Sequence, residues 1–154
     1  MISGKLIAAL LTAISGYTGY AIPGDPPRVI RLPHDALAER VCGRPCQVLG
    51  FTEPNGDIVM DAALDIGHDA VATSILVHEL THFLQMKSVA HPPPMDCRTW
   101  YDREREAFDV QARWLRDNAV STQVLSAEMA RLNWGGLRSS CVGGASQGES
   151  APTQ

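Results

Sequence analysis

Basic runs are missing from this chain. Its 13 lysines and arginines are scattered among 17 acidic residues, giving a formal net charge of -4. No basic–aromatic patch is present that could track a phosphate backbone, so nucleic acid is not an expected partner. Long apolar runs are missing too. The most apolar stretch, residues 6–14, is nine residues long, less than half of what a bilayer-spanning helix needs. No internal repeat is visible. Cysteine is sparse, and Cys42, Cys46, Cys97 and Cys141 have poor spacing for a cysteine-built zinc finger. What remains is one domain's worth of chain: 154 residues, 45% of them hydrophobic, ample for one core and short for two.

The N-terminus reads as a targeting segment. Lys5 supplies a short positive region, residues 6–14 an apolar core, and Gly19 and Ala21 the small residues of a cleavage site. Residues 1–21 are therefore expected to be a signal peptide lying outside the fold, with the mature protein secreted or periplasmic and without a stable membrane span. An uncleaved anchor is the competing reading. If Lys5 leaves, the net charge becomes -5, 12 basic residues against 17 acidic. Export would let the four cysteines pair. Cys42 with Cys46 would close a local loop and leave Cys97 with Cys141, although three pairings are possible.

The chemistry concentrates in His78-Glu79-Leu80-Thr81-His82. On a helix, positions i and i+4 share a face, so the two imidazoles can grip one ion. Glu79 lies beside that face, where a carboxylate can take a proton from a metal-bound water. Val71, Ala72, Ile75, Leu76, Val77, Leu80, Phe83 and Leu84 make this helix apolar nearly all round, hence buried. Two histidines and a glutamate buried together are costly without a charge partner, and a divalent cation resolves that cost. The competing reading is a pair of hydrogen-bonded core histidines.

A catalytic zinc takes three protein ligands and leaves a position open. The third is expected from a helix over residues 99–115, with Thr99 as N-cap and Asp102 in a capping-box position. Glu104 falls on its apolar stripe with Trp100, Ala107, Phe108, Gln111, Trp114 and Leu115. Glu106 groups instead with Arg103, Val110 and Arg113 on a charged face. Periodicity thus selects Glu104 as ligand and Glu106 as surface.

His78-Glu79-x-x-His82, followed on a later helix by Glu104-x-x-Ala107, resembles the gluzincin class of zinc metallopeptidases, and most closely small secreted bacterial proteins of that type. The resemblance covers residues 34–118. It implies Zn2+ held by His78, His82 and Glu104, Glu79 as general base, and a peptide or protein substrate. The pattern's usual Asp or Asn is replaced here by Phe108, so another group must orient a zinc histidine; Asp61, Asp65 and Gln111 are candidates. Tyr101, His91, Arg103 and His68 are within sequence reach as oxyanion donors. The alternative is a non-catalytic, zinc-stabilised binding or envelope-interaction module.

The implied fold is a mainly helical α+β, minimal zincin-like domain over residues 34–136, with a small antiparallel hairpin beside the active-site helix. Residues 22–33 form a proline-rich extended lead-in and 137–154 a disordered tail. A helix is expected over 35–42, stopped by Gly43, and another over 121–132. Strands at 47–52 and 57–61 flank a Pro54-Asn55-Gly56 turn. If the resemblance holds, residues 58–60 are the sheet edge along which substrate adds. Asp69 should cap the zinc helix, and Pro92-Pro93-Pro94 should bar its continuation.

Overall fold

The computed structural model describes residues 2–88 and 96–118. Its elements are α1 (Gly4–Thr18), β1 (Val29–Leu32), α2 (His34–Cys42), β2 (Gly50–Thr52), β3 (Ile58–Asp61), α3 (Ala70–Lys87) and α4 (Cys97–Asp117). The fold is mainly helical α+β, as expected, with one small mixed sheet. The anticipated helix over 121–132, the tail and the proline run lie outside the described residues.

The hairpin forms where turn chemistry demands it. Gly56 adopts φ 92°, a conformation that costs glycine little, and Asn55 accepts from the Asp57 N–H at 2.9 Å. β2 then pairs antiparallel with β3, Phe51 opposite Val59. The first expected strand is shorter than anticipated: only Gly50–Thr52 enters the ladder.

The lead-in contributes more than an extended arm. Val29–Leu32 pairs parallel with β3, giving the order β1-β3-β2. All four residues of β3 are consequently buried. The expectation that residues 58–60 form the edge is thus corrected: β3 is central, and β2 is the edge beside α3. Parallel pairing between segments this far apart leaves no local signature in the sequence.

α3 is the hub. Asp69 caps it by accepting from the Ala72 N–H at 2.7 Å, as its position suggested. Leu76, Val77, Leu80 and Leu84 have no exposed surface, and Phe83 almost none. The helix packs against α1, α4, β2 and β3. α4 starts earlier than expected, because Asp96, not Thr99, is its cap and accepts from the Thr99 N–H at 2.7 Å. Asp102 is left exposed beside Arg105 and closes no capping box. α2 ends at Gly43, whose φ of 63° suits the left-handed stop, and Cys42 and Cys46 form the expected local disulfide. Cys97 is also disulfide-bonded; its expected partner, Cys141, lies outside the described residues.

In the full chain α1 packs into the fold. Ile7, Leu10, Leu11 and Ile14 of α1 join the core with Leu76, Leu80 and Val110. The Tyr17 hydroxyl donates to Asp117 at 2.7 Å, with Arg113 stacked over its ring. The apolar run that reads as a targeting core is also an amphipathic face, and α3 and α4 present a matching one. No helix among the described residues is long and apolar enough to cross a membrane.

Truncating a fully buried α3 residue should expose how much the fold depends on this hub. Leu76→Ala is expected to lower the unfolding free energy by about 2–5 kcal/mol, read from the denaturant midpoint. A midpoint indistinguishable from the parent's would contradict the packing described.

Candidate metal centre

α3 and α4 lie against one another, and their facing side chains converge on one point. Successive helical turns bring His78 and His82 together, with ring centroids 4.8 Å apart and their Nε2 atoms separated by 3.1 Å. Glu104 reaches across from α4, placing Oε2 at 3.3 Å from His78 Nε2 and Oε1 at 3.2 Å from His82 Nε2. The three side chains are 9%, 17% and 17% exposed. The periodicity argument for Glu104 therefore gives the residue that the fold brings to the histidines.

The spacing suits an ion as well as it suits hydrogen bonds. Metal–ligand bonds of about 2.0–2.1 Å in a tetrahedron imply donor-to-donor edges of roughly 3.3–3.4 Å, and the contacts here run from 3.1 to 3.3 Å, those to Glu104 through its two different oxygens. His78, His82 and Glu104 can hold a metal ion with their donor atoms all within 4.8 Å of one another. Two imidazole nitrogens facing each other near a carboxylate also form a site that attracts positive charge. Burial opposes a proton on His82, but hydrogen bonds to Glu104 and Gln85, with the charges of Glu79 and Glu104, outweigh it and push its pKa up to about 9. Burial likewise opposes charge on Glu104, yet hydrogen bonds from both histidines bring its pKa down to about 2.

The orienting groups are not those expected. Asp61 accepts from His34 and from the Ala63 N–H, Asp65 pairs with His68, and Gln111 donates to Ser74. None of the three touches a zinc-motif histidine through these bonds. The partner of His82 is Gln85, whose Oε1 lies 2.9 Å from His82 Nδ1. Gln85 follows His82 by three residues, on the same helix face, a spacing that could have identified it. His78 is positioned differently. Its Nδ1 is buried without a hydrogen-bond partner among the described residues, and its ring packs on Phe108 at 4.3 Å between centroids. On the side of the ring away from Glu104, the contact on His78 is thus one of packing, from the aromatic ring of Phe108.

Glu79 stands beside the trio and outside it. It is buried, and its Oε2 accepts from the Thr52 hydroxyl at 2.9 Å. The same hydroxyl lies 2.9 Å from the Glu79 carbonyl, tying β2 to α3. Gly50 makes the approach possible, since a Cβ there would meet Glu79 Cγ and Met60 Sδ at 2.9 Å. Sequence patterning pointed to neither Thr52 nor Gly50, because both act across the sheet–helix interface.

Glu106 departs from its expected surface role. It is half-buried, and its Oε2 accepts from Gln85 at 2.7 Å and from Tyr20 at 2.8 Å. Of the suggested oxyanion donors, His68 pairs with Asp65 on the surface, Arg103 enters the network through its carbonyl, Tyr101 is half-buried on α4, and His91 lies outside the described residues. Compared with family models, curated proteins and solved structures, the chain matches none.

The shifts of His82 and Glu104 give the metal-free site a pH dependence of its own. His82, raised from 6.5 to about 9, contributes stability that is complete below 6.5 and lost as pH rises through 9. Glu104, lowered from 4.5 to about 2, contributes stability present above 4.5 and lost as pH falls through 2. Thermal unfolding in chelator should therefore show a decline from pH 6.5 to 9. Saturating zinc should suppress that decline, because the ion replaces the proton. A melting temperature in chelator that is flat over this range would contradict the electrostatic account.

Proposed function

We propose that this chain is a zinc-dependent peptidase, in which His78, His82 and Glu104 hold the ion and Glu79 is the general base. The observation that carries the reading is the position of Glu79. A second buried carboxylate sits against the three ligands, close enough for its charge to act on His82, and is held by Thr52 rather than by the ion-binding trio. A site that only needed to bind metal has no use for it. Two imidazole nitrogens and a carboxylate are a donor set that suits zinc among the divalent ions. Held by these residues, zinc would supply Lewis acidity, lowering the pKa of a bound water towards about 7.

The chain's own groups supply the remaining work. Glu79, at its carboxylate, accepts the proton of the attacking water and delivers it to the departing amide nitrogen. Thr52 fixes one oxygen of that carboxylate at the β2–α3 interface. β2 offers an edge strand immediately beside Glu79, so an extended peptide can pair with it by strand addition. Leu49 and Phe51, 43% and 40% exposed, flank that edge and suit apolar side chains. The Cys42–Cys46 disulfide is compatible with a secreted or periplasmic setting. Membership of a gluzincin-like group rests on the motif and on the identity of the third ligand.

The alternative, a zinc-stabilised binding or envelope-interaction module without turnover, separates cleanly from this reading. Glu79→Gln should keep about one zinc per chain and lower hydrolysis of an unfolded protein or mixed peptide pool by about 10²–10⁴-fold. Undiminished turnover in that variant would remove Glu79 from the mechanism. A parent protein that holds zinc and cleaves no peptide in such pools would favour the binding module.

A further inference from the structure

We infer that Gln85 and Glu106 form a positioning relay that sets the tautomer of His82 for metal binding; the inference rests on the zinc site proposed above. A neutral imidazole ligates through one nitrogen only if its proton sits on the other. His82 has its Nε2 turned towards His78 and Glu104, so its proton must sit on Nδ1, 2.9 Å from Gln85 Oε1. An amide could equally present its NH2 group there, which would favour the opposite, non-ligating tautomer. Its surroundings forbid this. The Gln85 nitrogen lies 3.0 Å from the Arg103 carbonyl and 2.7 Å from Glu106 Oε2. Both are acceptors, and one carries a charge. Flipping the amide would set its oxygen against both.

Glu106 is held ready for that role. Tyr20 donates to the same Oε2 at 2.8 Å. Burial, with the bond to Glu106, pushes the Tyr20 hydroxyl up to about 12, so it remains a donor at neutral pH. The order of control runs from Glu106 to the amide of Gln85, from there to the Nδ1 proton of His82, and so to the lone pair offered to the ion. Gln85 is 3% exposed, so water does not substitute for the missing partner.

Gln85 also ties α3 to α4, so a stability loss alone would not establish the relay. Exchange of the two groups does. In Gln85→Glu, a carboxylate still accepts from His82 but faces Glu106 and the Arg103 carbonyl, and like charges at this distance oppose one another. Adding Glu106→Gln restores a donor: an amide nitrogen at the Oε2 position can serve the carboxylate introduced on α3 with one hydrogen, and the Tyr20 hydroxyl, which meets the same position, can accept the other. A carboxylate behind a ligating histidine also raises the basicity of that ligand.

The test is zinc affinity of the full chain at pH 7.5, by competition with a chromophoric chelator, beside thermal unfolding of each metal-free variant. Gln85→Leu should bind zinc about 10–100-fold more weakly than the parent. Gln85→Glu should also bind more weakly, and Gln85→Glu with Glu106→Gln should return to the parent's affinity or exceed it. Parent-like affinity in Gln85→Leu, with only its metal-free stability reduced, would overturn the relay and leave Gln85 as a helix tether. A double variant no tighter than Gln85→Glu would likewise overturn the role of Glu106. A parent that binds no zinc would overturn the metal-site reading and the relay with it, an outcome distinct from the other two.

Discussion

The packing of α3 on α4 at His78, His82 and Glu104 is the contact on which the candidate chemistry depends. It places two imidazole nitrogens and a carboxylate within about a hydrogen-bond length of one another in a crevice that excludes most water. Such a group is costly to bury unless its charges are matched. A proton shared through His82 matches them in part, and a divalent ion occupying the centre would match them fully. α3 has few degrees of freedom here because it is apolar on nearly every side and enclosed by α1, α4 and the sheet. Rigidity of the helix is what makes the ligand spacing definite.

The two glutamates of the site, Glu79 buried and Glu104 half-buried, diverge because their neighbours differ. Glu104 faces two imidazoles and is held ionised by them. Glu79, one residue along α3 from His78, turns towards β2 and takes a neutral hydroxyl as partner. The edge strand therefore has two roles at once: Thr52 steadies the carboxylate, and Gly50 leaves the space it fills. Behind the ligands, packing orients one histidine and hydrogen bonding the other. His78 leans on Phe108, while His82 is fixed by an amide that a second carboxylate holds in one orientation.

Local signals in the sequence carried as far as local physics reaches. The i, i+4 histidines, the Asp69 cap, the Asn55-Gly56 turn, the Gly43 stop and the Cys42–Cys46 loop each depend on neighbours within a few residues, and each forms as read. Helical periodicity also separated Glu104 from Glu106, since a single helix face is a local property. Long-range pairing is where the reading fell short. β1 finds β3 across more than twenty residues, which moves β3 from the edge to the centre. In the full chain α1 packs on α3 and α4, a contact that its leader-like composition does not announce. Glu106 looked solvated on its own helix because Gln85 and Tyr20, which occupy it, come from elsewhere in the chain. The early start of α4 is the exception: Asp96 competes locally with Thr99 and prevails as the cap.

Metal content per chain, measured on the purified parent and on Glu104→Ala after saturation with zinc and removal of excess, tests the central claim most directly. The account predicts about one zinc per parent chain and little or none in the variant, because two helical imidazoles alone form an incomplete site. A parent without zinc, its disulfides intact, would contradict the metal centre. Equal zinc in parent and variant would contradict the place of Glu104 within it.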